Sequence, residues 1–132
     1  LDLKKEIKFN GWVNDFEKNK LFKKSDIFVM PSYKYKRSIE GFGIVYVEAA
    51  KYGIPSICGK DSGASDFVKN NVSGWVVDPL DLNALKKVLI DAINFPSKSR
   101  EKGKVSKNKY INNFNGHIAF QLFLDTIKKI NR

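Results

Sequence analysis

The chain has 132 residues, the length of one ordinary domain, and its 42% hydrophobic and 13% aromatic content is enough to build a packed core. Charged residues make up 29%, Gly and Pro together number only 13, and no apolar run approaches the roughly 18 residues of a membrane-spanning helix, which excludes disordered, collagen-like and integral helical-membrane classes. The net charge of +10 is concentrated at one end: residues 1–96 carry 15 basic and 12 acidic side chains, residues 97–132 carry 9 and 2.

Short β-type runs alternate with helical patterns, which predicts a parallel sheet with helices on both faces in a single domain, residues 1–132. Residues 7–13 read as a strand running into a turn at Gly11. Residues 16–24 read as a short helix carrying Phe16, Leu21 and Phe22, and residues 26–30 (DIFVM) as a buried strand stopped by Pro31. Residues 43–52 read as a helix ended by Gly53 and Pro55. Residues 56–59 are the next strand, followed by a Gly- and Ser-rich turn, a short helix over 64–70 and a strand over 74–77. From Asp81, an N-cap, the spacing of Leu82, Leu85, Val88, Leu89, Ala92 and Ile93 predicts an amphipathic helix that Pro96 breaks. Residues 97–132 form a basic helical segment, a Lys-rich helix over 97–114 and a last one over 118–130 with Ile118, Leu122, Phe123 and Ile130 on one stripe.

Several familiar signatures fail. Gly41 and Gly43 start like a dinucleotide fingerprint, but Tyr46 stands where its third glycine belongs. Neither Gly59-Lys60 nor Gly103-Lys104 continues as a Walker loop. One histidine, His117, and one cysteine, Cys58, make no transition-metal site; Cys58 reads as a packing residue and fits a reducing compartment. Asn71-Val72-Ser73 is a sequon expected to be inert. Because 21 of the 24 basic residues are Lys, the tail reads as a solvated face before it reads as a reader of nucleic acid.

The segment EGFGIVYVEAA, from Glu40 to Ala50, is different. Apart from Glu40 at its head, Glu48 alone interrupts an apolar and small-residue run, and a carboxylate in such a helix needs either a salt bridge or a path to water. Gly41 and Gly43 remove side chains at the helix start, so the amides of Phe42, Gly43, Ile44 and Val45 can approach an anion. Glu40 and Glu48 then flank that position as acceptors for two sets of hydroxyls, which describes a nucleotide-sugar: hexose at one end, ribose at the other.

Glu40 and Glu48 in that spacing resemble the E-x7-E motif of retaining GT-B glycosyltransferases of family 4, the group 1 glycosyltransferases. The blocks IKFNGWV, DIFVMPS, YGIPSI and SGWVVDPLD match in the same order. The resemblance implies a partial Rossmann-like C-terminal domain of the GT-B fold. In it Glu40 contacts the donor sugar, Glu48 the ribose, and the amides of residues 42–45 the sugar and phosphates. Ser32 and the Gly11-Trp12-Val13 turn line the nucleotide pocket. It further implies no cofactor, no required metal and no protein nucleophile. The acceptor, a glycan or lipid-linked sugar, would be bound by an N-terminal domain upstream of Leu1, with the enzyme cytoplasmic and in peripheral contact with the membrane. The opening on Leu1 is that of a fragment or processed product, expected not to transfer sugar alone. The sequence departs from the family after the strand at 56–59, where the run Asp61-Ser62-Gly63-Ala64-Ser65-Asp66 stands in place of the usual Gly-Gly and Glu, and at Asn115, where an aromatic is usual. Two other readings compete: a basic module binding nucleic acid or anionic lipid through residues 97–132, and another GT-B enzyme such as a nucleotide-sugar epimerase or a phosphorylase.

Overall fold

The computed structural model describes residues 3–34, 36 and 41–130, the side chains at 119, 122, 123 and 128–130 excepted. Three strands, β1 (Phe28–Met30), β2 (Ser56–Gly59) and β3 (Gly74–Val77), form a parallel sheet in that order. Phe28 aligns with Ser56 and Ser56 with Gly74, so all three carboxyl ends finish along one edge. The described residues also form six helices: α1 (Asp15–Lys24), α2 (Ile44–Lys51), α3 (Ala64–Phe67), α4 (Leu82–Asn94), α5 (Pro96–Asn113) and α6 (Gly116–Ile130).

Successive strand side chains point to opposite faces, and β2, buried along its length, serves two cores. Ile57 packs with Trp75, Val77 and the Leu85, Val88 and Ala92 face of α4. Cys58 on the other side packs with Tyr46, Val47 and Ala50 of α2 and with Ala64 and Phe67 of α3. Helices therefore cover both faces, as the alternation of elements predicts. A third cluster, Phe22, Ala49 and Ile54, seats α1 against α2, with Phe22 edge-on to Phe28 at 5.8 Å between centroids.

The local signals explain where most elements start. Asn14 and Glu17 form a reciprocal capping box at α1. The Asp81 carboxylate accepts from the amides of Asn83 and Ala84, both at 3.0 Å, capping α4. Pro96 follows α4 and opens α5, at a position where a missing N–H leaves nothing unbonded.

Other expectations are corrected. Residues 7–13 form no strand: strand backbone groups need a ladder partner, none pairs with this segment among the described residues, and Phe9 and Trp12 are 93% and 89% exposed. The turn at Gly11 is present, at φ +61°. The first strand of the sheet begins at Phe28 rather than at residue 26. The helix expected over 64–70 is the single turn of α3, because Ser73 Oγ takes the Lys69 amide and Asn71 adopts φ +59° to turn into β3. Of the stripe expected on the last helix, the side chains of Leu122, Phe123 and Ile130 lie outside the described residues. The basic segment is not simply solvated. Lys109 Nζ donates to the carbonyls of Asp66 and Phe67 at 3.0 and 2.9 Å, Lys102 Nζ donates to the Asn71 carbonyl, and burial lowers both ammonium pKa values. No described helix is long and apolar enough to cross a membrane.

Cys58 is wholly buried in β2, and burial pushes its thiol from 9.0 up to about 11. At pH 8 its thiolate fraction is then lowered about a hundredfold, so an aromatic disulfide reagent should label the native chain at least about a hundredfold more slowly than the urea-unfolded chain. Equal rates would place the thiol in solvent. The unfolded thiol releases its proton near 9 and the folded one near 11, so this group removes stability as pH rises across that window.

Candidate functional site

The carboxyl edge of the sheet carries part of the set singled out in sequence, Ser32 and residues 42–45. Gly43, the residue before α2, lies at φ +69° in the left-handed region, and a Cβ there would stand 2.6 Å from the Tyr46 ring. Both facts demand glycine. With no side chain at this N-cap, no side-chain hydrogen bond caps the helix start. The Tyr46 amide turns back to the Gly43 carbonyl at 2.9 Å, while Ile44 and Val45 occupy the first turn, where no helical carbonyl lies behind their N–H groups. Ile44 is 71% exposed and Phe42 is exposed beside it, while Gly43 itself is buried.

Two close backbone approaches fix the loops around it. A Cβ on Gly63 would fall 1.4 Å from the Gly41 carbonyl oxygen, and one on Gly59 would fall 1.9 Å from the Ser32 carbonyl oxygen. The Tyr46 hydroxyl donates to the Met30 carbonyl, tying α2 to the end of β1. Residues 41–45, Ser32 and the 59–63 turn thus share one edge, the place where open parallel sheets bind ligands.

Glu48 lies four residues into α2, about 6 Å along the axis from Ile44. Its carboxylate is half-exposed and accepts from Lys18 Nζ of α1 at 2.8 Å; Lys18 also reaches Asp15 at 3.0 Å. The Glu48 hydrogen bond, then that of Asp15, raises the Lys18 pKa. A lysine partner and access to water are the two ways such a carboxylate can be accommodated, and Glu48 has both. The Gly11-Trp12-Val13 turn sits just ahead of α1, where Trp12 and Val13 line a shallow hollow of about 260 Å³ with Lys8, Asn10, Glu17 and Leu21. It is connected to α2 through the Lys18–Glu48 pair and does not line the helix start itself. Glu40 lies outside the described residues. Among those described, no three His, Cys, Asp or Glu side chains gather to hold a metal ion.

Sequence reasoning missed Tyr46, Gly59, Gly63 and Lys18. Tyr46 carries a local signal, since it stands three residues past Gly43, within reach of the glycine it covers. Lys18 is thirty positions from Glu48 and carries none.

A parallel sheet covered on both faces, with a glycine-framed helix start at its carboxyl edge, belongs to the Rossmann-like class of α/β domains. The family model described as "Glycosyl transferases group 1" matches residues 1–109, and the chain belongs to that family. It is 33% identical over 120 residues to the Escherichia coli UDP-Gal:alpha-D-GlcNAc-diphosphoundecaprenol alpha-1,3-galactosyltransferase, a match covering 87% of this chain and 28% of the relative. It is 25% identical over 130 residues to the amylovoran biosynthesis glycosyltransferase AmsK of Erwinia amylovora, covering 98% and 32%. Among solved structures, sucrose-phosphate synthase from Thermosynechococcus elongatus superposes with a TM-score of 0.82 at 26% identity, covering 98% of this chain and 32% of that one. Anabaena HepE, crystallised with UDP and glucose, gives 0.81 at 23% identity, covering 96% and 33%, and at that identity shows the shared fold. The chain spans about a third of the length of these proteins.

Proposed function

We propose that this chain is the donor-binding portion of a retaining glycosyltransferase, which moves a sugar from a nucleoside diphosphate sugar to a glycan or lipid-linked acceptor. The observation that carries the reading is the uncapped, glycine-framed start of α2 at the carboxyl edge of the sheet, in a chain of the group 1 family. The amides of residues 42–45 take the diphosphate and stabilise the charge that develops on it as the sugar leaves, an electrostatic role that needs neither metal nor protein nucleophile. Glu40 takes hydroxyls of the donor sugar, Glu48 those of the ribose, and Ser32 and the Gly11–Val13 turn the nucleotide side of the cleft. Lys18 orients the Glu48 side chain for that work through the 2.8 Å contact between them.

The E. coli relative's name specifies a UDP-sugar and a diphosphoundecaprenol-linked acceptor, and a mycobacterial relative's name specifies GDP-mannose. Both nucleotides are therefore candidates here, and acceptor capture falls to sequence beyond this third of a full-length enzyme. A lipid-linked acceptor also brings the enzyme to the cytoplasmic membrane surface.

Calorimetric titration with UDP- and GDP-sugars tests this. Glu48→Ala should weaken binding by roughly ten- to a hundredfold, the roughly 1.5–3 kcal/mol of a hydrogen bond to a charged acceptor. Its melting point should barely move, because the pair it breaks is partly exposed. Affinity unchanged by Glu48→Ala would remove the ribose assignment, and the absence of any nucleotide binding would remove the donor-site reading.

A further inference from the structure

The donor loop is held from the far end of the chain. Residues 41–43 contain one side chain, the Phe42 ring, and the N-cap glycine makes no side-chain hydrogen bond. The Gly41–Gly63 backbone contact holds one end of this loop, and the seat of the Phe42 ring, the one side chain between the two glycines, is the second hold on where the amides of residues 42–45 point. The Phe42 ring stacks on Phe114 at 5.7 Å between centroids and 27° between planes. Phe114, the C-cap of α5, stands edge-on to the buried Phe67 of α3 at 5.1 Å and 84°. Five residues earlier, Lys109 binds the last carbonyls of α3 and lies over the Phe67 ring at 5.0 Å. The final turns of α5 thus grip α3 and, through one aromatic stack, the loop that opens α2.

We propose that Phe114 is a positioning residue for nucleotide-sugar binding: its ring, braced on Phe67, holds Phe42 and so sets the direction of the amides at the start of α2. The assignment rests on the donor-site reading above for its consequence in binding, but not for its consequence in the free protein. A leucine at 114 fills much of the same volume without offering a flat face; a tyrosine keeps the face.

The test compares Phe114→Leu, Phe114→Tyr and Phe42→Leu in the 132-residue chain by amide NMR without ligand, and then by titration with UDP. Phe114→Leu should shift or broaden the amides of residues 42–45 while leaving those of β3 and α4 in place, and should weaken UDP at least fivefold. Phe114→Tyr should restore both readouts to within twofold of wild type. Phe42→Leu removes the same stack from its exposed partner without touching Phe67, so it should reproduce the loop signature even where Phe114→Leu folds poorly. Amides of residues 42–45 unmoved in both leucine variants would overturn the proposal. If the wild-type chain binds no UDP, the donor-site reading fails while the ligand-free spectra still decide whether Phe114 sets the loop.

Discussion

Gly63→Ala should destabilise the chain by about 3 kcal/mol, at the upper end of what overpacking a close contact costs. The backbone conformation is not the reason: Gly63 has φ −60° and ψ −10°, which alanine adopts readily. The reason is the Gly41 carbonyl, whose oxygen and carbon would lie 1.4 and 2.6 Å from the new methyl. Both are main-chain atoms, so no rotamer change relieves the overlap, and either α3 or the loop at 41–43 must move. The two escapes read differently. If α3 yields, the core residues Ala64 and Phe67 are displaced and the denaturation midpoint falls. If the loop yields, less stability is lost, but the amides at the start of α2 turn away and nucleotide affinity drops, by about tenfold for a charged hydrogen bond of roughly 1.5 kcal/mol. Chemical denaturation with a parallel UDP titration covers both, and a variant unchanged in each would refute the close approach of the two loops.

That contact marks the limit of what the sequence discloses. Residues 74–77 and the Asp81-capped α4 are legible because their signals are local: a short apolar run between turn residues, a carboxylate at the N-cap, apolar side chains at helical spacing. The start of α2 is legible for the same reason, two glycines ahead of an apolar helix. Residues 7–13 mislead because alternation in IKFNGWV looks like half of a strand pair, and a strand is a property of two segments. The Gly41–Gly63 and Ser32–Gly59 approaches join loops about twenty-five residues apart, and a glycine in a turn-rich stretch looks the same whether it serves a turn or a close passage. The basic tail misleads differently. Lys102 and Lys109 count as surface charge in any composition, yet in the fold their ammonium groups serve as hydrogen-bond donors to the ends of other elements. Glu48 shows both sides: its need for a partner is written in its apolar neighbourhood, while the identity of that partner, Lys18, is set by how α1 lies on α2.

Gly103→Ala puts the conflict between local preference and tertiary packing to a direct test. In the middle of α5, alanine is worth about 1 kcal/mol more than glycine by helix propensity, so sequence reasoning alone expects the variant to be more stable. The packing reverses the sign. Gly103 is buried with Ser99 and Ser106 on one face of α5, a small-residue face that lets the helix lie directly on the turn after α2. A Cβ there would stand 2.0 Å from the Gly53 carbonyl oxygen and 3.1 Å from Pro55 Cδ. Gly53 cannot easily swing aside, because it holds φ +74° between the end of α2 and the entry to β2. Overpacking of roughly 3 kcal/mol against backbone outweighs the propensity gain and leaves a net loss of about 2 kcal/mol. For a domain of this size that lowers the melting temperature by about 8 °C. Lys104→Ala, one residue on and exposed, supplies the reference and should stay within about 0.5 kcal/mol of wild type. A Gly103→Ala variant that melts higher than wild type would mean that α5 does not rest on the Gly53 turn, and the grip of its last turns on α3 and the donor loop would lose its foundation.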